Sequence, residues 1–153
     1  MIQSVFSRLL LDIMNHVSST MPDVRLVDRY LGQDQTAVRP AIVSPAVLVD
    51  IDSETYHEIA DGSQYVDPAT ISVRLLVDNY STSSAKAPQS ARERAMNDFE
   101  LEQRLVNCLH NWTPADGYCT SLIRTEATSE NRHDIGLRIR TITFTTSWEE
   151  VNE

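Results

Sequence analysis

Glycine is scarce in this 153-residue sequence, with four residues at positions 32, 62, 117 and 136. Neither a Walker-type phosphate loop nor a dinucleotide fingerprint can be written with them, because both need closely spaced glycines that let backbone N–H groups approach a phosphate. Serines are plentiful, yet there is no Gly-x-Ser-x-Gly elbow, and no Ser/His/Asp set stands out from chance. Cysteine is scarcer still. Cys108 and Cys119 are too few for a disulfide framework and lack the second close pair of a zinc site. Free thiols are expected, with a disulfide geometrically open across the turn that would join a helix to a strand. No apolar run approaches the roughly 18 residues of a membrane span. The first dozen residues lack a basic start, and Asp12 interrupts their apolar run, so they predict an amphipathic helix and not a signal peptide.

Basic residues are outnumbered, 13 against 22, giving a formal net charge of −9. A surface devoted to DNA phosphates is therefore not expected, since that affinity comes from clustered Lys and Arg releasing counterions. A local basic patch from Arg74, Arg138 and Arg140 remains open. Hydrophobic residues make up 41% and charged residues 23%, both near the averages for globular chains. The length suits one domain over residues 1–153.

Apolar residues at Ile2, Val5, Phe6, Leu9, Leu10, Ile13, Met14 and Val17 recur at steps of three and four, which predicts a helix with one buried stripe. The run before Pro22 stops it. Val24 to Tyr30 reads as a short strand or a turn with a strand end, followed by a polar loop from Gly32 to Thr36. Val47, Val49 and Ile51 alternate as a strand. The polar stretch from Asp52 to Ile59, ending at the turn signal Asp61-Gly62-Ser63, is a hairpin arm, an edge strand or a protruding loop. Ile71, Val73, Leu75 and Val77 share one face of a central strand. A loop from Tyr80 to Gln89 precedes a second helix, expected to start near Ser90 with Glu93 completing a capping box, with Ala91, Ala95, Phe99, Val106 and Leu109 on one face and Leu101, Leu105, Cys108 and Trp112 on the adjacent one, a broad apolar arc. Strands are expected over Tyr118–Glu126 and Ile135–Trp148, joined by a polar connection from Thr128 to Asp134. The last strand changes apolar parity between Ile139 and Ile142, which implies a β-bulge or a change of burial partner. The fold class that follows is α+β: an antiparallel or mixed sheet packed by two amphipathic helices, with an extended hairpin or loop excursion.

Candidate chemistry is thin. His16, His57, His110 and His133 fall in different predicted elements, and no pair has the i, i+4 spacing of a helical zinc site. His110 sits where a helix dipole favours a cation. Asp50, Asp52 and Glu54 alternate along a strand and its exit. They can meet a divalent cation or act as an acid/base pair, but the ordinary reading is a solvated acidic edge that discourages aggregation. Arg74, Arg138 and Arg140 would form a positive stripe if their strands are neighbours, a segregation that favours contacts between subunits.

The order helix, strand region with an extended excursion, strand, long loop, helix, strand, strand resembles the tail-completion and tail-terminator proteins of tailed bacteriophages. The strings that carry the likeness are Pro45-Ala46-Val47-Leu48-Val49, Ile71 to Asp78, and Arg140-Thr141-Ile142-Thr143-Phe144-Thr145-Thr146-Ser147-Trp148. The long segment between the Pro45 and Ile71 strands and the extended loop in the 80s depart from the simplest family pattern. The resemblance implies a non-enzymatic virion protein without a cofactor, assembled in the host cytoplasm as a ring, commonly a hexamer, at the head-proximal end of a tail. Its partners would be the tail-tube protein and the head–tail connector, with genomic DNA touched only in passing through the lumen and no membrane. Subunit or tube contacts are then expected from Asp52, Glu54, Tyr56, His57 and Tyr65 of the excursion, Lys86 of the loop, and Arg74, Arg138 and Arg140, since exposed loops on a rigid scaffold carry binding function. A related neck or head-completion protein, a small metal-dependent enzyme and a host-protein adaptor are the alternatives.

Overall fold

Three long runs of alternating residues form the middle of a five-stranded open sheet, in a computed structural model that describes residues 4–35, 42–78, 84–132 and 136–151. The strands are β1 (Leu26–Arg29), β2 (Ala46–Ala60), β3 (Ser63–Asp78), β4 (Ile123–Arg132) and β5 (Leu137–Val151), in spatial order β1-β2-β3-β5-β4. Only β1 and β2 pair in parallel; the other pairs are antiparallel. The helices are α1 (Val5–Thr20), α2 (Gln89–Ala95) and α3 (Asn97–Leu109). This is the α+β class that the periodicities imply, with a mixed sheet.

The sheet is buried on both sides at one end. Val47, Val49, Ile71, Val73, Leu75, Ile142 and Phe144 form one core with Leu9, Ile13 and Val17 of α1 and Leu101, Leu105 and Leu109 of α3. Ala46, Leu48, Leu76, Leu137 and Ile139 form a second core, packed against Leu26, Tyr30 and Ile42. Residues 30 and 42 belong to the crossover between the parallel strands β1 and β2, so that connection covers the face the helices leave bare. The parity change of β5 has its cause here. Pairing with β3 is unbroken from Ala69↔Thr146 to Asp78↔Leu137, so no bulge intervenes. The strand switches burial partner instead: Ile142, Phe144 and Trp148 enter the helix-side core, and Leu137 and Ile139 the opposite one.

At the other end, β2, β3 and β5 outrun their neighbours. β1 accompanies β2 only as far as Val49, and the first paired residue of β4, Ile123, stands opposite Thr145. Beyond these points β2 and β3 continue to the turn at Asp61 and Gly62, with Val151 opposite Ser63. Gly62 takes φ of 77°, a conformation that glycine adopts without steric cost. The excursion is thus a hairpin arm widened to three strands by the end of β5. The residues of β2 from 55 to 60 are exposed in succession, as in a strand with neither face covered. Register shifts at Ile51/Ser53 and Glu54/Tyr56 of β2 and at Val66/Ala69 of β3 mark its base, where bulges increase local twist. Trp148 anchors the arm to α1, meeting Phe6 edge to face at 5.5 Å.

Several boundaries differ from expectation. α1 runs on to Thr20 and ends when the Met21 N–H bonds the Val17 carbonyl. The second helix is two helices, broken at Met96 (φ −96°, ψ 4°), and no side-chain cap forms at Ser90; Gln89 donates instead to Glu93 at 3.0 Å. The break has a packing reason: α3 has a broad apolar face to lay on the sheet, whereas α2 buries only Ala95. Phe99, expected on the buried face, is exposed. β4 starts at Ile123 and extends through Arg132, so residues 128–132 of the expected polar connection are strand, while His133 and Asp134 lie outside the described residues. Backbone pairing with β5 carries this strand although none of its residues is buried.

Leu75 and Leu76 are adjacent and both buried, one in each core. Replacing either by alanine should lower unfolding stability by about 2–5 kcal/mol, measured by urea denaturation. A sheet with one solvated face would leave the Leu76→Ala variant close to wild type.

Candidate functional site

Of the residues expected at an interface, five lie on the arm. Tyr56 stands opposite Val66, and His57 opposite Tyr65. The His57 Nε2–H donates to the Asp67 carbonyl at 3.0 Å, tying the two strands together at the β3 bulge. Asp52 is exposed at the β2 bulge and accepts a hydrogen bond from Ser72 Oγ at 2.8 Å. Glu54 is half-buried. The Tyr56 hydroxyl is pushed above its ordinary pKa by local burial and by the negative charges of Glu54 and Glu150. Lys86 is exposed in the turn before α2; positions 81–83 of the expected contact loop lie outside the described residues.

The arginines do not form the expected stripe. β3 and β5 are neighbours, but Arg74 pairs in register with Thr141, and Arg138 and Arg140 pair with Val77 and Leu75. Side chains alternate along a strand, so Arg138 and Arg140 emerge on the helix face and Arg74 on the opposite one. Each meets a carboxylate. Arg138 Nε donates to the buried Asp98 at 3.1 Å, and its guanidinium lies 5.6 Å from the Phe99 ring centroid. Arg140 makes a two-pronged pair with Glu102, one contact being Nη2 to Oε2 at 3.1 Å. Both carboxylates come from α3, so these pairs fasten the helix over the polar part of β5.

Arg74 heads a network that its surroundings make costly to disturb. Its Nε and Nη2 both donate to Asp34 Oδ2, the former at 3.0 Å, and Nη2 also reaches Glu130 at 3.2 Å. The guanidinium stacks 4.6 Å over the Tyr30 ring, whose hydroxyl donates to Asp34 at 2.9 Å. Burial pushes the Asp34 carboxyl up, but the bonds from Arg74 and Tyr30 and the arginine charge outweigh it, leaving its pKa below the ordinary 3.8. Sequence reading placed residues 32–36 in a polar loop, and Asp34 is fully buried. The available signal was Leu76 on the same face of the strand as Arg74: an apolar residue there marks the face as covered, and a covered cation needs a partner.

Other candidate groups are structural. Asp50 bonds the Ile51 N–H at 2.9 Å. His16 stacks on Trp112 at 4.4 Å and donates to the Cys108 carbonyl. His110 caps α3, and its Nδ1 accepts the Arg124 N–H at 3.1 Å, fixing the start of β4. Cys108 and Cys119 are free and buried, and burial raises both thiols, which lowers their thiolate fraction and reactivity. Among the described residues, no three His, Cys, Asp or Glu side chains come together as a metal site, and no helix is long and apolar enough to cross a membrane.

In sequence, no family model and no curated protein matches this chain. Its fold does have relatives. A chain of the virion of the native gene transfer agent particle superposes with a TM-score of 0.52 at 10% identity, covering 97% of this chain and 100% of that one. Identity this low shows a shared fold, and the coverage extends it over essentially the whole chain.

Removing the Asp34 carboxylate leaves the partly buried Arg74 with only the exposed Glu130 as counter-charge, so Asp34→Ala should cost about 3 kcal/mol of unfolding stability. Because the folded pKa of Asp34 is depressed, its contribution is present at neutral pH and is lost as pH falls below about 4. Urea midpoints across that range should fall more steeply for the wild type than for Asp34→Asn.

Proposed function

We propose that this chain is a structural virion subunit that forms a ring at the head-proximal end of a phage tail, ends growth of the tail tube and joins it to the head connector. The observation that carries the reading is the three-stranded arm. A sheet fixed by two cores continues past its bulges into an arm held at its base by Val66 and Trp148, with the β2 strand exposed from 55 to 60 and Tyr56, Ile59 and Val151 left open. Large apolar side chains left exposed on a projection mark a surface for another macromolecule. The whole-chain likeness to a virion component supports the same class.

No covalent chemistry is required in this role. A ring stops a growing tube by occupying the face on which the next tube ring would sit, and its opposite face then presents a new docking surface. The arginines serve the subunit from within, because Arg74, Arg138 and Arg140 hold the crossover and α3 in place. The acidic surface suits a channel that DNA must traverse: an excess of negative charge repels phosphates and keeps the passing duplex from adhering.

Native mass spectrometry should find a discrete closed oligomer, with a hexamer at six times the 17.3 kDa chain mass. Electron microscopy of tail tubes grown with the protein present should show one capped end and uniform length. A protein that stays monomeric at high concentration, and also in the presence of tubes, would contradict the reading.

A further inference from the structure

The net charge of the chain is concentrated at one end. The arm, taken as residues 52–70 and 145–151, carries Asp52, Glu54, Glu58, Asp61, Asp67, Glu149 and Glu150 and no Lys or Arg, so it accounts for seven of the nine net negative charges. The ion pairs formed among the described residues use none of these carboxylates. Glu58 and Glu150 lie in one row across the arm, on either side of Gln64. The next row on the same face holds Tyr56, Val66 and Trp148.

The opposite end of the molecule has the complementary character. α2 buries only Ala95, an unusual state for a helix in a folded chain, whose stability normally comes from packing an apolar face. Residues 84–96 contain Lys86, Arg92 and Arg94 against the single acid Glu93, and all three cations are exposed and outside the ion pairs above. At the elbow between α2 and α3, Met96 and Phe99 are 43% and 46% exposed. An open depression of about 660 Å³ lies there, lined by Gln89, Arg92, Glu93, Met96 and Glu100. On the arm, Tyr56, Ile59 and Val151 are 43%, 52% and 68% exposed. Both ends therefore offer large apolar side chains among charges, the arm net acidic and residues 84–96 net basic.

The two ends cannot meet within one chain. The N-terminal turn of α3 is pinned beside Val77 through the Asp98–Arg138 pair. From Ser63 at the arm's tip to Val77 the strand spans about 45 Å at roughly 3.3 Å per residue. We infer that the acidic arm of one copy docks on the cationic α2–α3 elbow of the next, with Tyr56 against Met96 and Phe99 and with Glu58 and Glu150, on the same face of the arm as Tyr56, facing Lys86, Arg92 and Arg94. This deepens the ring reading and rests on it. Two different patches on each copy make a head-to-tail contact, which closes into a ring when the rotation per subunit divides a full turn and otherwise grows as a filament.

The test uses two double charge reversals, Glu58→Arg with the half-buried Glu150→Arg on the arm and Arg92→Glu with Arg94→Glu on the exposed side of α2. Each variant, with wild-type circular dichroism, should assemble roughly tenfold or more weakly in sedimentation velocity, because like charges then face one another. An equimolar mixture of the two should assemble again, since each reversed arm meets a reversed elbow. If both variants form wild-type oligomers, or if the folded variants fail to rescue one another, the docking is wrong while a wild-type ring keeps the ring reading intact. If arm variants form rings but fail to cap tubes, the arm's partner is the tube and not a second copy. A wild type that never assembles, even with tubes, overturns both readings.

Discussion

Burial of β2, β3 and β5 on both faces at one end is the constraint from which the rest of the structure follows. Each buried leucine or isoleucine is worth about 1.5–3 kcal/mol relative to exposure, and here adjacent residues such as Leu75 and Leu76 belong to separate cores. One layer of helices cannot cover both sides. The parallel pairing of β1 with β2 answers this, because a parallel pair needs a crossover, and this crossover lays Tyr30, Asp34 and Ile42 on the face opposite the helices. Arg74 then finds its carboxylate in the same segment.

The charges are distributed by the same constraint. Where the sheet is covered, its arginines turn toward the covering elements and take a partner there: Arg74 pairs with Asp34 of the crossover, and Arg138 and Arg140 with Asp98 and Glu102 of α3. Pairs of this kind hold an element in one place at the cost of desolvation, so their value lies in specifying an arrangement as much as in stability. Where the sheet is bare, the carboxylates have no such partners. An edge or projection crowded with like charge resists unplanned strand pairing, yet it remains open to a surface of opposite charge.

Strands and helices were legible from the sequence where periodicity was strong and one-sided, as in Ile71 to Val77 and in α1. The parity change at Ile139 to Ile142 announced a second burial partner, though not which segment supplied it, because the crossover has no periodicity of its own. The polar residues 55–60 read equally well as loop or strand, since a strand exposed on both faces has no hydrophobic alternation to display. β4 was placed too early for a related reason: its residues are held by backbone pairing with β5, which leaves no trace in side-chain type. The arginine stripe failed on register. Arg74 and the pair at 138 and 140 lie on adjacent strands, but the pairing puts them on opposite faces, and no single-strand pattern contains that information. Asp34 was hidden among polar neighbours, and Met96 broke a helix whose residue pattern runs continuously through it.

The acidic arm, exposed on β2 from 55 to 60, and the exposed helix α2 at the other end are the surfaces on which the proposed assembly depends. Hydrogen–deuterium exchange, compared between the dissociated chain and the assembled particle, reads this directly. Protection on assembly should appear in residues 52–66 and 146–151 of the arm and in 89–99 of the elbow, with the two cores unchanged. Protection confined to β4 or to the exposed face of α1, with arm and elbow exchanging as in the free chain, would contradict the account.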